Sequence, residues 1–286
     1  MRLETNQLTE QQKKEIYELV TICNKTDRLH GNAFLEQELN VYSDVPCFFL
    51  YYDNKNLVSF LSLFFSCVNE VEISAYTHPD YRRQGHFSNL LCCALSLLKS
   101  LPIKRILFMT EPHCNHTIKT LSSLHAKYLY SDYSMTLFRN CPYILSELDF
   151  SLSLANEEDF KVLSSIHSEA FGVEKNISKD FVLDIFSQDS VLCYKFLLKN
   201  NIIGFCNVLQ NASSIFLFGI CIKKRVQNQG YGGIMMKFLL NDLLLLKKSI
   251  TLQVNSLNIP ALHLYQRLGF SSTICFDSYS IENKCF

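Results

Sequence analysis

Two hydrophobic periods alternate along the chain and predict an order of strands and helices. Ile16, Leu19, Val20 and Cys23 fall at helical spacing behind Thr9-Glu10-Gln11-Gln12, a capped helix start. A second helix is expected over Asn32 to Val41, after a short strand at Leu3 to Glu4. Strands follow at Cys47 to Tyr52, Leu57 to Ser66 and Glu70 to Tyr76, the first two joined by the turn Asp53-Asn54-Lys55-Asn56. Glu70 and Glu72 alternate with Val71 and Ile73, which predicts a solvated face for both glutamates. Then come a helix over Ser88 to Leu98, a strand over Ile103 to Thr110, a helix over Ile118 to Leu124 and a strand over Ser134 to Phe138.

The order then repeats. Leu152 to Ala155 reads as a strand, and Asn156-Glu157-Glu158-Asp159 opens a helix with Val162, Leu163, Ile166 and Ala170 on one face. Cys193 to Lys199 and Ile202 to Gln210 form a hairpin through Asn200-Asn201. Ser214 to Ile222 is a strand, Ile234 to Leu246 a helix, Ser249 to Val254 a strand, Ile259 to Gln266 a helix and Ser272 to Tyr279 a final strand. Gly230 lies 145 positions after Gly85, and Ile250 lies 144 after Ile106. A period this long marks a duplicated domain, since solenoid units run to about 20–50 residues. The expected domains are 1–148 and 149–286, with a boundary near Glu147 to Ser151 and no linker of Gly, Ser or Pro.

Between the strand ending at Ile222 and the helix after it lies Gln227-Asn228-Gln229-Gly230-Tyr231-Gly232-Gly233. A strand, a glycine turn and a helix N-terminus form an anion site, because unpaired N–H groups and the helix dipole both favour negative charge there. Glycine lets an anion approach the backbone without meeting a Cβ.

Composition narrows the setting. Apolar residues make up 48% of 286, enough for a substantial core. Lys+Arg and Asp+Glu both number 27, a balance that argues against nucleic acid as the main partner. Twelve scattered cysteines without a Cys-x-x-Cys pair read as small buried hydrophobes in a reducing compartment. The polar start Met1 to Asn6 and the short apolar run Leu243 to Leu246 give neither a signal peptide nor a membrane span, so a soluble cytoplasmic protein is expected. His113-Cys114-Asn115-His116 is too crowded for a zinc site and no second cluster completes it, so no metal is expected.

Gln227-x-x-Gly230-x-Gly232 and, downstream, Asn258-x-x-Ala261-x-x-Leu264-Tyr265-x-x-x-Gly269-Phe270 together resemble the GNAT superfamily of N-acetyltransferases. The first half fits less well: Arg82-x-x-Gly85 is present, but Phe87 stands where Gly or Ala is usual. Laying Asn115 on Asn258 brings Ser122 to the place of Tyr265, without a Gly-Phe pair. The first half therefore looks like a GNAT domain that has lost its acid and narrowed its phosphate turn. The resemblance implies an α/β (α+β) fold of two tandem GNAT domains, each a mixed, mostly antiparallel sheet flanked by helices.

It also implies acetyl-CoA as cofactor and direct transfer of acetyl to a primary amine, with the active site in the second half. The turn Gln227 to Gly233 would hold the pyrophosphate. Backbone groups of Ile220, Cys221 and Ile222, on a strand that splays from its neighbour, would grip the pantetheine and thioester. Tyr265 would protonate the leaving thiolate, a fitting role because an ordinary phenol titrates near about 10 and an ordinary thiol near about 8.5. Asn258 would bond the pantetheine arm or cap its helix. Cys221 reads as a core residue. Lys223, Lys224 and Arg225 would meet the 3′-phosphate or form a solvated turn. The strand Ser214 to Ile222 has no carboxylate or histidine to act as base; Glu169, Asp180 and His167 are candidates that otherwise read as surface residues. The acceptor, a small-molecule or peptide amine, is not readable. The rival reading is a non-catalytic module that binds or senses acyl-CoA. A third places activity in the first half, which lacks an obvious acid.

Overall fold

The computed structural model describes all residues except 36, 38–39, 43, 139–140, 146–148, 247 and 283–286. The chain packs as two compact units, Met1–Asp132 with Ile274–Phe286, and Tyr133–Thr273. In chain order the elements are β1 (Arg2–Thr5), α1 (Glu10–Asp27), β2 (Phe48–Asp53), β3 (Asn56–Cys67), β4 (Glu70–Thr77), α2 (His86–Leu98), β5 (Arg105–Thr110), α3 (Asn115–Ser123) and β6 (Lys127–Leu137). The second half runs β7 (Phe150–Leu154), α4 (Phe160–Phe171), α5 (Lys175–Ser187), β8 (Val191–Leu198), β9 (Asn201–Gln210), β10 (Ser214–Ile222), α6 (Tyr231–Leu244), β11 (Ser249–Asn255), α7 (Ile259–Arg267) and β12 (Phe270–Glu282).

The helix expected over Asn32 to Val41 falls partly on residues outside the described ones, as does the domain cut between residues 148 and 149. A helix that the periodicity does not predict, α5, follows α4 after Gly172, which takes φ 66° and ends α4.

Each unit is a six-stranded, mostly antiparallel sheet with helices against it. The first unit has the order β1-β2-β3-β4-β5-β12 and the second β6-β11-β10-β9-β8-β7. The last strand of each sequence half thus stands in the sheet built by the other half: Asp277 to Glu282 of β12 pair antiparallel with Arg105 to Thr110 of β5. The 145-residue repeat contains every strand but says nothing about which sheet receives the last one.

In the first unit, α1 supplies Ile16, Leu19, Val20 and Cys23 to a core completed by α2 and the inward positions of β2 to β5. In the second unit the sheet has two apolar faces. Met235, Met236, Leu239, Leu240 and Leu243 of α6 cover one, with Cys206 and Val208 of β9 beneath. Leu163, Ile166, Val182 and Ile185 of α4 and α5 cover the other, with Phe205 beneath. The alternation along β9 is the two-residue strand period.

Candidate functional site

The site begins where β10 leaves β11. The two strands pair in parallel only from Ser214 to Leu217, against Ser249 to Leu252. Beyond that, the register of β10 against β9 jumps between Phe218 and Cys221, and Gly219 takes φ 60°. A bulge bends its strand, and glycine accommodates the positive φ without strain. The β10 edge from Phe218 to Ile222 therefore has no β11 partner, the splay expected around Ile220, Cys221 and Ile222. The Ile222 carbonyl there accepts from Gln227 Nε2 at 2.9 Å.

The turn after β10 is tied to itself. Gln227 N–H donates to the Lys224 carbonyl at 3.3 Å, and Gln229 Nε2 donates to the Arg225 carbonyl at 3.1 Å. Asn228 at φ 59° and Gly230 at φ 85° rotate the backbone into α6. Gly233 N–H donates to Gly230 O at 3.0 Å. Between these anchors the amides of Asn228, Gln229, Gly230, Tyr231 and Gly232 have no acceptor among the described residues. Five consecutive amides at the positive end of a 14-residue helix suit a diphosphate. Gln227 and Gly233 are the ends of this cradle, with their own amides occupied.

The glycines serve different purposes. A Cβ on Gly230 would meet nothing within 4 Å, so that residue is required by its φ. A Cβ on Gly232 or Gly233 would point to Leu264 of α7 at 3.5 Å, so these two set how closely α6 approaches α7.

The first unit contains the same turn. Arg82 Nε donates to the Thr77 carbonyl at 3.1 Å, Gln84 Nε2 to the Asp80 carbonyl at 3.1 Å, and Arg82 N–H to Pro79 O at 3.3 Å. Arg83 and Gly85 take φ 64° and 83°. The parallel pairing of β4 with β5 stops at Ile73. The expectation that Phe87 narrows this turn is corrected: Phe87 packs against the apolar core of its unit. The amides of Arg83 to Phe87 have no acceptor among the described residues.

Tyr265 lies on α7, 6% exposed, in the core beneath α6, with its ring edge-on to Phe270 at 6.0 Å. Burial, reinforced by nearby Cys206 and Cys221, pushes its phenol well above the ordinary 10. It is thus kept protonated, near the strand that carries the splay. Burial likewise raises the Cys221 thiol far above the usual range, which removes it as a nucleophile. Asn258 is the N-cap of α7, its Oδ1 accepting from Ala261 N–H at 3.3 Å.

The helix caps correct the alignment of the first half. α3 begins after Cys114 and ends at Leu124, whereas α7 begins after Asn258 and ends at Leu268. Both pairs differ by 144, so the residue in the place of Tyr265 is buried Leu121, not Ser122. His125, at φ 57°, holds the place of Gly269 at φ 92°.

The base candidates separate. Glu169 and Asp180 are exposed. His167, expected at the surface, is buried: its ring stacks on Phe181 at 4.2 Å and its Nδ1 lies 3.0 Å from Ser178 Oγ. Desolvation lowers its pKa, so it is neutral at pH 7. Glu72, expected on a solvated face, is half-buried, and burial with the neighbouring Asp132 raises its carboxyl. His113 Nε2 lies 3.0 Å from the Arg28 carbonyl, and His116 Nε2 lies 3.6 Å from Asp27, which also pairs with Arg82. Lys224 and Arg225 are exposed, and burial lowers the Lys223 amine.

Sequence reasoning missed Asn207. It sits opposite Phe218 in the β9–β10 ladder, wholly buried, with neither Nδ2 nor Oδ1 hydrogen-bonded among the described residues. The available signal was an amide side chain inside the apolar run Ile202 to Leu209.

Residues 160–270 match the Acetyltransferase (GNAT) family. No protein of curated function matches the sequence. Among solved structures, a GCN5-related N-acetyltransferase from Sphaerobacter thermophilus superposes with a TM-score of 0.77 at 12% identity, over 99% of this chain and 95% of that one. A tandem GNAT protein from the clavulanic acid biosynthesis pathway, solved without AcCoA, gives 0.71 at 10% identity over 99% and 98%. A GNAT-family acetyltransferase from Colwellia psychrerythraea gives 0.66 at 11% identity over 98% of each chain. The chain has the tandem GNAT fold.

Proposed function

We propose that this tandem GNAT-fold chain is an acetyl-CoA-dependent N-acetyltransferase, acting on a primary amine by direct attack, with its active site in the second half. One observation supports this above the others. The free edge of β10 leads directly into five unclaimed amides, while a buried, protonated phenol stands near Cys221 on that same strand.

Acetyl-CoA would supply an activated acyl carbon and a thiolate leaving group. The amides of Asn228 to Gly232 would hold its diphosphate, each bond to a charged oxygen contributing about 1.5–3 kcal/mol. Backbone groups of Ile220 and Cys221 would line the pantetheine and acyl group along the free edge. Gln227 would keep edge and turn in register through Ile222. Tyr265 would give its proton to the departing sulfur; its raised pKa keeps it loaded at neutral pH. The acceptor is a small-molecule or peptide amine, the proposed compartment the cytoplasm.

The absence of a carboxylate or histidine on β10 favours a second reading, a module that binds acyl-CoA without turning it over. Thiol release from acetyl-CoA across a panel of primary amines separates the two. Amine-dependent release supports the enzyme; tight acetyl-CoA binding with no release from any amine supports the module.

A further inference from the structure

Asn207 departs from the pattern of its strand. Its neighbours on the same side of β9, Phe205 and Leu209, pack under α4 and α5, yet Asn207 places an amide among them at 0% exposure. One unpaired buried polar group costs about 1–3 kcal/mol. Here both ends of the amide are unpaired among the described residues. A leucine, which has the same branched outline, would carry no such cost.

The amide is aimed at the bulge of β10. A Cβ built on Gly219 would stand 2.5 Å from Asn207 Nδ2 and 3.1 Å from Phe181 Cζ. Gly219 is the one residue of β10 without a side chain, and it lies just past the point where β10 parts from β11. Phe181, the ring that closes this spot, is itself only partly buried. Phe181 in turn meets Phe218 edge-on and stacks on neutral His167.

We infer that Asn207 is a catalytic residue of the acyl transfer: its Nδ2 donates to the thioester carbonyl oxygen, and its Oδ1 accepts an N–H of the incoming amine. This rests on the acetyltransferase reading above. In the step, the amine nitrogen bonds to the carbonyl carbon and the carbon–sulfur bond breaks. The sulfur takes a proton from Tyr265, and the amine gives one up to solvent, from which the phenol is reprotonated. Negative charge develops meanwhile on the carbonyl oxygen, where Nδ2–H meets it. Donors of this kind are worth about 10²–10³ in turnover.

The test needs no knowledge of the acceptor. Calorimetry on the full chain compares CoA with acetyl-CoA, in wild type and in Asn207→Leu. The wild type is expected to prefer acetyl-CoA by roughly threefold to tenfold, the worth of about one neutral hydrogen bond. Asn207→Leu is expected to bind CoA as before, to lose that preference and to melt at a higher temperature. A variant that melts higher and keeps the full preference overturns the proposal. If Asn207→Leu does not fold, a crystal structure of the wild type with acetyl-CoA decides: Nδ2 within hydrogen-bond distance of the acyl oxygen supports it, and an amide bonded only to water overturns it. A wild type that binds neither CoA nor acetyl-CoA sinks the acetyltransferase reading, and this inference with it. That outcome is recognisable because no preference exists to be lost.

Discussion

Gln227 Nε2 donates to the Ile222 carbonyl oxygen at 2.9 Å, so the first side chain of the turn fastens the last residue of β10. In the first unit Arg82 does the same to Thr77, at 3.1 Å. The bond fixes strand end and turn before any ligand arrives, and a prearranged cradle loses less free energy on binding. Arg82 has a second duty, a two-pronged pair with Asp27 at 3.0 and 2.6 Å, which explains why arginine serves there and glutamine suffices at 227.

Gln227→Leu keeps the volume and removes the tie, leaving the Ile222 carbonyl without its side-chain partner. Acetyl-CoA affinity is expected to fall about tenfold, equivalent to about 1.4 kcal/mol, with little change in melting temperature. Gln227→Arg should retain most of the affinity, since Arg82 makes the same bond. Titration calorimetry on both variants checks this; equal weakening in the two would show that the tie is irrelevant.

Gly230 is held at φ 85° with open space where a Cβ would be. Gly230→Ala is therefore expected to cost about 1–2 kcal/mol through backbone strain alone. Gly230→Asn should cost less, because asparagine tolerates this region, as Asn228 does at φ 59°. Gly230→Glu adds negative charge at the anion cradle and should abolish acetyl-CoA binding. Thermal melts order the first two, and a Gly230→Glu protein with normal affinity would remove the cradle from the site.

Tyr265→Phe should lower turnover by about 10²–10⁴ while acetyl-CoA still binds. The raised phenol also has a stability consequence. A tyrosine with a folded pKa above its unfolded value near 10 contributes stability fully present below pH 10 and lost as pH rises above it. The wild type should therefore lose more stability above pH 10 than Tyr265→Phe does. Denaturant melts at pH 8 and pH 11 supply the difference, and identical pH slopes would contradict the burial.

Much of this was legible in residue order. The glycine spacing at Gln227 to Gly232 marked the turn, because its backbone geometry needs those residues, while Tyr265 was singled out by the resemblance of the run from Asn258 to Phe270 to a family motif. What depends on pairing across the chain was not legible. Leu121 replaced Ser122 opposite Tyr265 because the helix caps, not the asparagine match, set the register. His167 looked like a surface residue because α5, whose Phe181 and Ser178 pack against it, was unseen. Asn207 stayed hidden because the bulge that gives its amide a direction appears only once β9 and β10 are paired.

Gly204 puts the shape of the splay to the hardest test. It pairs with Ile222 in the β9–β10 ladder, on the face under α6. A Cβ there would stand 2.5 Å from the Cys221 carbonyl oxygen, 2.8 Å from Ile222 Cδ1 and 3.3 Å from Met235 Sδ. The side chains can shift, but the carbonyl is backbone, so Gly204→Ala must push the end of β10 away from β9. Overpacking of this kind costs typically about 1–3 kcal/mol. The displaced segment also ends in the residue that Gln227 fastens. Gly204→Ala should thus lower the melting temperature and weaken acetyl-CoA binding together. Gly172→Ala is the control: that glycine has φ 66° and open space around it, far along the chain from the turn. It should lose stability through strain alone and leave acetyl-CoA affinity unchanged. A Gly204→Ala protein that binds like the wild type would show that the cradle does not depend on where β10 ends.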